Sequence, residues 1–548
     1  MAHKADPTDK RRHPRTARRL HIVLGDQLNI HAAALKDLDG DNDAVLMMEV
    51  REEAEHVPSH KQRTVLFLSA MRHFAADLID KGQRVRYIAL DDPANTQSFA
   101  TELERAAKEL KPERITVQTP GEHRVRAILE DFASSSEGDF DILEDDHFLA
   151  PLDRFLEWAD GRKSLTMEFF YRERRKETGV LMHKNGKPRG GEWNFDKQNR
   201  EVFKQTPRPP KPYTPRPDDT TKAVIKLVEK TWPNAPGSLK RFDWPVTREQ
   251  ALRALDDFIE NRLHRFGTYE DAMWTESPVL YHAKLSPALN LKLISPRECI
   301  DKALDAHGNG HAEINNVEGF VRQLLGWREY IRGIYFLEGE DYPHRNGLDQ
   351  HAELPEFFWN ADTDMRCMNE CLSSVIDNAY SHHIPRLMVI GNFALLAGVH
   401  PRHVHKWFLA MYADAVEWAT APNVVGMSQH ADRRPDGNPR NIGIVATKPY
   451  VSSGKYINRM SNFCEHCKYD VNKRTTDDEP NSNGGPPCPF NTLYWDFLIR
   501  HRETFRHNNR MAMILKNVDR MTEKQKTTIT VEGKELRKRL EIGDPEGS

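Results

Sequence analysis

Cys464-Glu-His-Cys467 and Cys488-Pro489 place three thiols close together late in the chain. Thiolates at CxxC spacing can take neighbouring corners of a tetrahedral metal site, and a third nearby can take another. A fourth ligand must come from elsewhere. Cys367 and Cys371 lie upstream, one helical turn apart, and could point the same way, while Cys299 stands alone. The spacing leaves zinc and an iron–sulfur cluster both open. A proline directly after the third cysteine is also seen at ferredoxin clusters. Three further clusters carry chemistry-bearing side chains: Gly326-Trp-Arg-Glu-Tyr330, His382-His-Ile-Pro-Arg386, and Trp407 to Trp418 with Asp414 between the indoles. Adjacent histidines cannot share one helix side, so His382 and His383 need different surroundings. No HxxxH or neighbouring carboxylate completes a facial metal site there. Tryptophans at helical spacing pack a core before they do anything else.

These groups need elements to position them. Leu20–Leu24, Ala44–Val50, Arg84–Leu90, Ile115–Gln118 and Phe140–Leu143 read as strands. Helices lie between them, one carrying Phe67, Met71, Phe74 and Leu78 on one face with Gly82 as its stop, another spanning Phe99–Leu110. That alternation predicts an α/β domain over 20–150, a doubly wound parallel sheet of about five strands. Ligands of such sheets sit beyond the strands' carboxyl ends, where Gly25-Asp-Gln-Leu28 and Glu49–Glu53 fall. Residues 151–245 read as an interdomain connector, with six prolines in Pro207–Pro217. From 246 strand signals vanish, and Thr247–Phe266, Val317–Phe336, Met365–Tyr380, Ile384–Ala397 and His403–Ala419 read as helices of a large all-α domain over 246–515. Residues 1–19 read as a disordered basic arm, 516–548 as a charged C-terminal tail, and Asp477–Gly485 as a polar surface loop.

Composition narrows the function classes. Lys plus Arg number 79 against 82 Asp plus Glu among 548 residues, a formal charge of −3, which excludes a histone-like polycation but not a local basic groove. The longest apolar stretch, Leu387–Val399, is too short to span a bilayer. No hydrophobic signal peptide precedes the first strand, so a soluble, cytoplasmic protein is expected. Six cysteines are too few for a disulfide scaffold.

Taken in order, LGDQL from Leu24, GWREY from Gly326, YSHHIPRLM from Tyr380, NFALLAG from Asn392, the CxxC pair and CPFNTLYWDFL from Cys488 resemble the photolyase/cryptochrome superfamily. More narrowly the chain resembles its iron–sulfur bacterial branch, the prokaryotic (6-4) photolyases, from about Leu20 to about Arg510. The resemblance implies an antenna-binding α/β domain and a helical domain holding FAD. It implies light-dependent repair of (6-4) pyrimidine photoproducts in UV-damaged DNA, by electron transfer from excited reduced FAD with histidine-assisted proton transfer, in a bacterial monomer. By the same resemblance Cys367, Cys464, Cys467 and Cys488 bind a [4Fe–4S] cluster, leaving Cys371 a bystander. Tyr281, Ser286, Arg328, Arg386, Asp414 and Asn423 match flavin-facing positions, with Asn423 near flavin N5. His382 and His383 match the catalytic pair, and His383 is expected to donate the proton, work suited to an imidazole. Arg200, Tyr450 and Tyr456 match lesion or DNA positions, and Trp359 and Trp407 match electron-transfer tryptophans. Met427 stands at the superfamily's usual first-tryptophan position, and Phe408 where a relative can have tyrosine. Asp26, Gln27, Glu49 and Glu53 match the pocket of a 6,7-dimethyl-8-ribityllumazine antenna.

The alternative of the same fold is a cryptochrome blue-light receptor without repair. A third reading makes the chain a non-photochemical, metal-binding DNA protein whose aromatics are core. Flavin absorption bands in the purified protein are expected, and their absence would sink both photochemical readings.

Overall fold

A computed structural model gives the fold and describes residues 5–136, 138–433, 443–476 and 485–545. The expected polar loop falls largely on 477–484, outside those residues. Five strands, β1 (Arg19–Ile22), β2 (Ala44–Met48), β3 (Val85–Ile88), β4 (Arg114–Gln118) and β5 (Asp139–Leu143), form one parallel sheet in the order β3-β2-β1-β4-β5. Leu20 pairs with Ala44 on one side and Ile115 on the other. β2 is buried along its whole length, as a strand covered on both faces must be. The strand order reverses at β1, which places the crevice between the ends of β1 and β4, beside Gly25-Asp26. The doubly wound α/β domain expected for the N-terminal part is therefore present.

The other expectations need three corrections. Residues 5–19 are not a loose arm. Ala17 N donates to Leu110 O at 3.1 Å, Lys10 pairs with Asp92 at 2.6 Å, and Arg18 and Arg19 both reach Asp43. The connector holds three helices, Leu152–Ala159, Met167–Thr178 and Asp219–Thr231, and Phe155 packs edge-on against both Phe170 and Tyr330 inside the core. The charged tail is in fact two helices, Ala512–Asp519 and Glu523–Arg539. The second lays Ile529, Gly533 and Leu536 inward, and its Arg537 meets the fully buried Asp496 at 2.7 Å. Arg500 reaches the same carboxylate at 3.0 Å. High charge density hid an amphipathic face that only its partner helix, Pro489–Arg500, reveals.

The helical half departs from simple periodicity at three places. Arg322–Arg328, Pro385–Gly391 and Pro422–Ser428 are π-helical turns, widened by one residue relative to an α-helix. The segment expected as one helix over His403–Ala419 breaks between the helices Pro401–Met411 and Glu417–Ala421. The long α/β helix between β2 and β3, Lys61–Asp80, is bolted to this region at its start. His60 N donates to Ala410 O at 2.9 Å, Gln62 Nε2 to Asp377 O at 2.7 Å, and Arg63 to Ala415 O at 3.3 Å. Among the described residues no helix is long and apolar enough to cross a membrane.

Asp496 neutralises two guanidinium groups out of water. Asp496→Ala strands both, which costs about 3–5 kcal/mol. A matching fall in the urea midpoint is expected, and an unchanged midpoint would mean that the C-terminal helix contributes no stability.

Candidate functional site

The four expected cysteine ligands come from three separate pieces of chain. Cys367 sits in the first turn of the helix Arg366–Asn378, Cys464 and Cys467 in the turns after Gly454–Met460, and Cys488 caps Pro489–Arg500. All four line one cavity, walled by Met365, Ile457, Phe463, Tyr469, Val471 and Phe490. Cys371 does not line it. A Cβ on Gly454 would lie 2.8 Å from Cys488 Sγ, so glycine is what lets the backbone approach the thiol there. The base of the long loop is closed by Asp470 N to Pro486 O at 2.8 Å and Cys488 N to Asp470 O at 3.0 Å. Burial pushes Cys464 up to about 11 and Cys488 up to about 12, so a metal entering here must displace thiol protons. Four thiols in an apolar enclosure fit a thiolate-bound iron–sulfur cluster. Cys299 is elsewhere, in the core of the helix Pro296–Gly308.

Arg386 and Asp414 form the second centre. Arg386 Nη1 and Nη2 meet the two Asp414 oxygens at 3.0 and 3.1 Å. Ser286 Oγ donates to Asp414 Oδ2 at 2.6 Å, and Asn290 Nδ2 donates to the Asp414 carbonyl at 2.8 Å. The Arg386 guanidinium lies 3.9 Å over the Tyr412 ring and donates from Nε to Ser381 O at 2.8 Å. Ser286, Arg386 and Asp414, three of the expected flavin-facing residues, thus converge. The other three do not join them. Arg328 is buried between the α/β and helical parts, 4.0 Å over Phe148 and 5.1 Å over Trp418. Tyr281 packs with Phe203, Tyr269 and Trp274. Asn423 is exposed and turns its Nδ2 back to Ala419 O at 2.8 Å. Asn290 and Tyr412 went unseen. Asn290 is one helical turn from Ser286 and could have been found by spacing; Tyr412 could not.

The histidine pair splits as the helix argument requires. His382 is buried and its ring stacks on His282 at 4.1 Å and 15°, while the His383 side chain is about half exposed. His282 Nε2 and His382 Nδ1 have no hydrogen-bond partner among the described residues. Nitrogens of His282, His382 and His383 lie within 4.8 Å of one another. A shared metal would have to lie in the plane of each ring, and the face-to-face stack of two of them precludes that. Desolvation first, then the Arg386 charge, pushes His383 below an ordinary imidazole; burial holds His282 and His382 well below. His383 Nε2 lies 3.9 Å from Asp271 Oδ1. Arg200 and Arg459 act on that same carboxylate and on the Tyr456 phenol, and Arg200 and Arg510 act on Tyr450. The expected lesion residues Arg200 and Tyr456 are therefore neighbours of Asp271, and Tyr450 is a neighbour of Arg200.

Trp407 is buried, donates its indole N–H to Phe358 O at 3.2 Å, and lies 5.9 Å from the Tyr412 ring. Trp359 follows Phe358 on the short helix Phe357–Asn360 and is half-buried. Tyr412 thus continues the aromatic path from Trp407 to Arg386. Phe408 stacks on Tyr412 at 5.3 Å, and Met427 sits half-buried in the Pro422–Ser428 turn.

At the strand ends the expected antenna residues have other work. Both Glu49 oxygens accept from Arg72 at 2.7 Å, and the Tyr87 hydroxyl and Leu90 N add two more bonds. That carboxylate is consumed in tying β2 to β3 and to the covering helix. Gln27 Nε2 braces the β4 end at Gln118 O, 3.1 Å away, and Glu53 pairs bidentately with Arg124 at 2.9 Å. Asp26 differs. Burial pushes it up to about 6, near Lys292, Asp145 and Glu122. Gly121 faces it closely, since a Cβ there would lie 3.1 Å from Asp26 Oδ2 and 2.7 Å from Trp418.

Residues 21–244 match the family model described as deoxyribodipyrimidine photo-lyase-related protein. Over 505 residues the chain is 46% identical to a (6-4) photolyase of Agrobacterium fabrum, covering 92% of this chain and 96% of that one. The chain belongs to the photolyase family. Two solved structures share the photolyase/cryptochrome fold at low identity. One is a class III photolyase of Agrobacterium tumefaciens, with TM-score 0.51 and 15% identity over 82% of this chain and 87% of that one. The other is a Synechocystis cryptochrome, with TM-score 0.50 and 13% identity over 82% of this chain and 89% of that one.

For this photolyase the cavity yields a direct expectation. Cys367→Ser should lose most bound iron, whereas Cys371→Ser should retain it, measured by iron content and visible absorbance of the purified protein. Equal loss in both variants would remove Cys371 from the bystander position.

Proposed function

We propose that this photolyase repairs (6-4) pyrimidine photoproducts in DNA, with His383 as the proton donor at the lesion. The observation that carries the reading is a group of neighbours: a half-exposed imidazole, Asp271 3.9 Å from it, Arg200 and Tyr456 beside that carboxylate, and Tyr450 beside Arg200. FAD, when bound and reduced, supplies the light-driven electron that starts repair in this family. Ser286, Arg386 and Asp414 are the residues that would hold it, with Asn290 orienting the Asp414 backbone. Arg386 presents a cation, suited to anionic reduced flavin. Trp359 and Trp407, extended by Tyr412, offer oxidisable rings for refilling that site. Cys367, Cys464, Cys467 and Cys488 are the [4Fe–4S] ligands of this reading. The 6,7-dimethyl-8-ribityllumazine antenna is assigned to the crevice at Asp26, with Gln27, Glu49 and Glu53 acting as its scaffold. A monomer in the bacterial cytoplasm is the form inferred.

The chemistry of His383 follows from its surroundings. A lesion whose hydroxyl must move between bases needs a proton delivered and taken back, a general acid–base step worth about 10²–10⁴-fold. The base must leave the duplex to meet the imidazole, and aromatic walls such as Tyr450 and Tyr456 can receive it. His382, buried and stacked on His282, is placed to hold the His383 backbone rather than to reach the lesion.

The test is illumination of a (6-4) oligonucleotide with the reduced protein. Repair is expected, and bound but unchanged lesion would instead favour the cryptochrome receptor. His383→Ala should lower the repair rate by about 10²-fold or more. The pH profile checks the role further. A donor must be protonated, so the rate falls as pH rises through its pKa. Asp271 stabilises the protonated imidazole, so Asp271→Asn should shift that fall toward lower pH. A shift to higher pH, or none, would exclude the pair.

A further inference from the structure

Five side chains near Asp271 form one series of neighbours. Arg510 and Arg200 both act on the Tyr450 phenol, and Arg200 and Arg459 both act on Tyr456. Arg200 is common to both and links Arg510 and Tyr450 to Tyr456 and Arg459. The Arg459 guanidinium lies 5.4 Å over the Tyr456 ring, and both sit on the helix Gly454–Met460. Arg510 comes from a different part of the chain and is held there by a built post. Asn508 is 3% exposed, donates Nδ2 to Thr447 O at 2.9 Å, and accepts the Arg510 N–H at Oδ1 at 3.0 Å. That post fixes the loop carrying Arg510 to the segment that leads into Tyr450.

The charges in this series are not spent on the protein. Arg200, Arg459 and Arg510 are exposed and form no salt bridge among the described residues, while most arginines of the α/β surface do. Of the carboxylates nearby, Asp196 is paired with Arg322, which leaves Asp271 against the two guanidinium groups of Arg200 and Arg459. Cations alternating with aromatic rings track a nucleic-acid strand: the cations take phosphates and the rings take unstacked bases.

We propose that Arg510 and Arg459 are phosphate-positioning residues that grip the lesion-bearing DNA strand on either side of the pocket, with Asn508 setting Arg510. The proposal uses the repair reading only for the identity of the partner. Both residues neutralise backbone charge and read no base. Their contribution is therefore independent of sequence and of damage, and is lost with salt.

Binding of undamaged and (6-4)-containing duplexes in the dark, followed by fluorescence anisotropy between about 50 and 200 mM salt, tests this. Arg510→Ala and Arg459→Ala should each reduce the slope of log K against log salt by about one, and weaken both DNAs alike. Arg510→Lys and Arg459→Lys keep a point charge and should keep the slope. Flavin content of each variant, read from the same samples, reports folding. Unchanged slopes in the alanine variants would overturn the proposal, as would a loss confined to damaged DNA, which would make the two arginines lesion readers. Parental protein that binds with the expected slope but repairs nothing under light would refute the repair reading and leave the series standing.

Discussion

The Arg386–Asp414 pair is the contact on which the centre of the molecule depends. Both partners are largely buried, so the pair is worth having only if further bonds satisfy it. Ser286, Asn290, Ser381 and the Tyr412 ring do so, drawing three stretches of the helical half together. The demand explains two departures from regular helix. Asp414 lies in the gap between Pro401–Met411 and Glu417–Ala421, because a continuous helix would not direct its carboxylate and carbonyl to separate donors. Arg386 lies in a π-helical turn directly after the histidine pair, so the residue that anchors Asp414 also sets where His382 and His383 stand. Arg63, donating to Ala415 O next door, ties the α/β domain to the same point.

A second economy appears in the helix Gly454–Met460. Its inward side, Gly454 and Ile457, walls the cysteine cavity, and its outward side carries Tyr456 and Arg459. One short helix therefore joins the thiols to the Tyr456–Arg459 surface. The helix Pro489–Arg500 plays a similar double part, with Cys488 at its start and Asp496 held by Arg500 and Arg537 near its end. Disturbance of the C-terminal helix would be felt at a cysteine ligand through that rigid link.

Carboxylates at the sheet's carboxyl edge show how similar residues divide between structure and ligand binding. Glu49 makes four hydrogen bonds and is fully consumed, whereas Asp26 is desolvated among Lys292, Asp145 and Glu122. A buried carboxylate with its acceptors filled is a strut; one whose burial raises its pKa in a crevice is a site candidate. Position along the strand does not separate the two cases.

Sequence by itself determined the architecture and the chemistry available. Short β-branched and aliphatic runs alternating with amphipathic stretches dictate a parallel sheet, because only crossover helices can cover both its faces. The CxxC pair, Cys488 and the HisHis-Ile-Pro-Arg run named most of the reactive side chains, since those depend on residue type and local spacing. Tertiary structure decided which of them meet. It chose Cys367 over Cys371 for the cavity, a choice between residues one turn apart that spacing leaves open. It brought Ser286, Arg386 and Asp414 together and left Arg328 on Phe148 and Asn423 at the surface. It also folded the basic arm and the charged tail onto the body, where periodicity was masked by charge. Such choices rest on ion pairs and stacking between residues far apart in the chain, and local patterns carry no record of them.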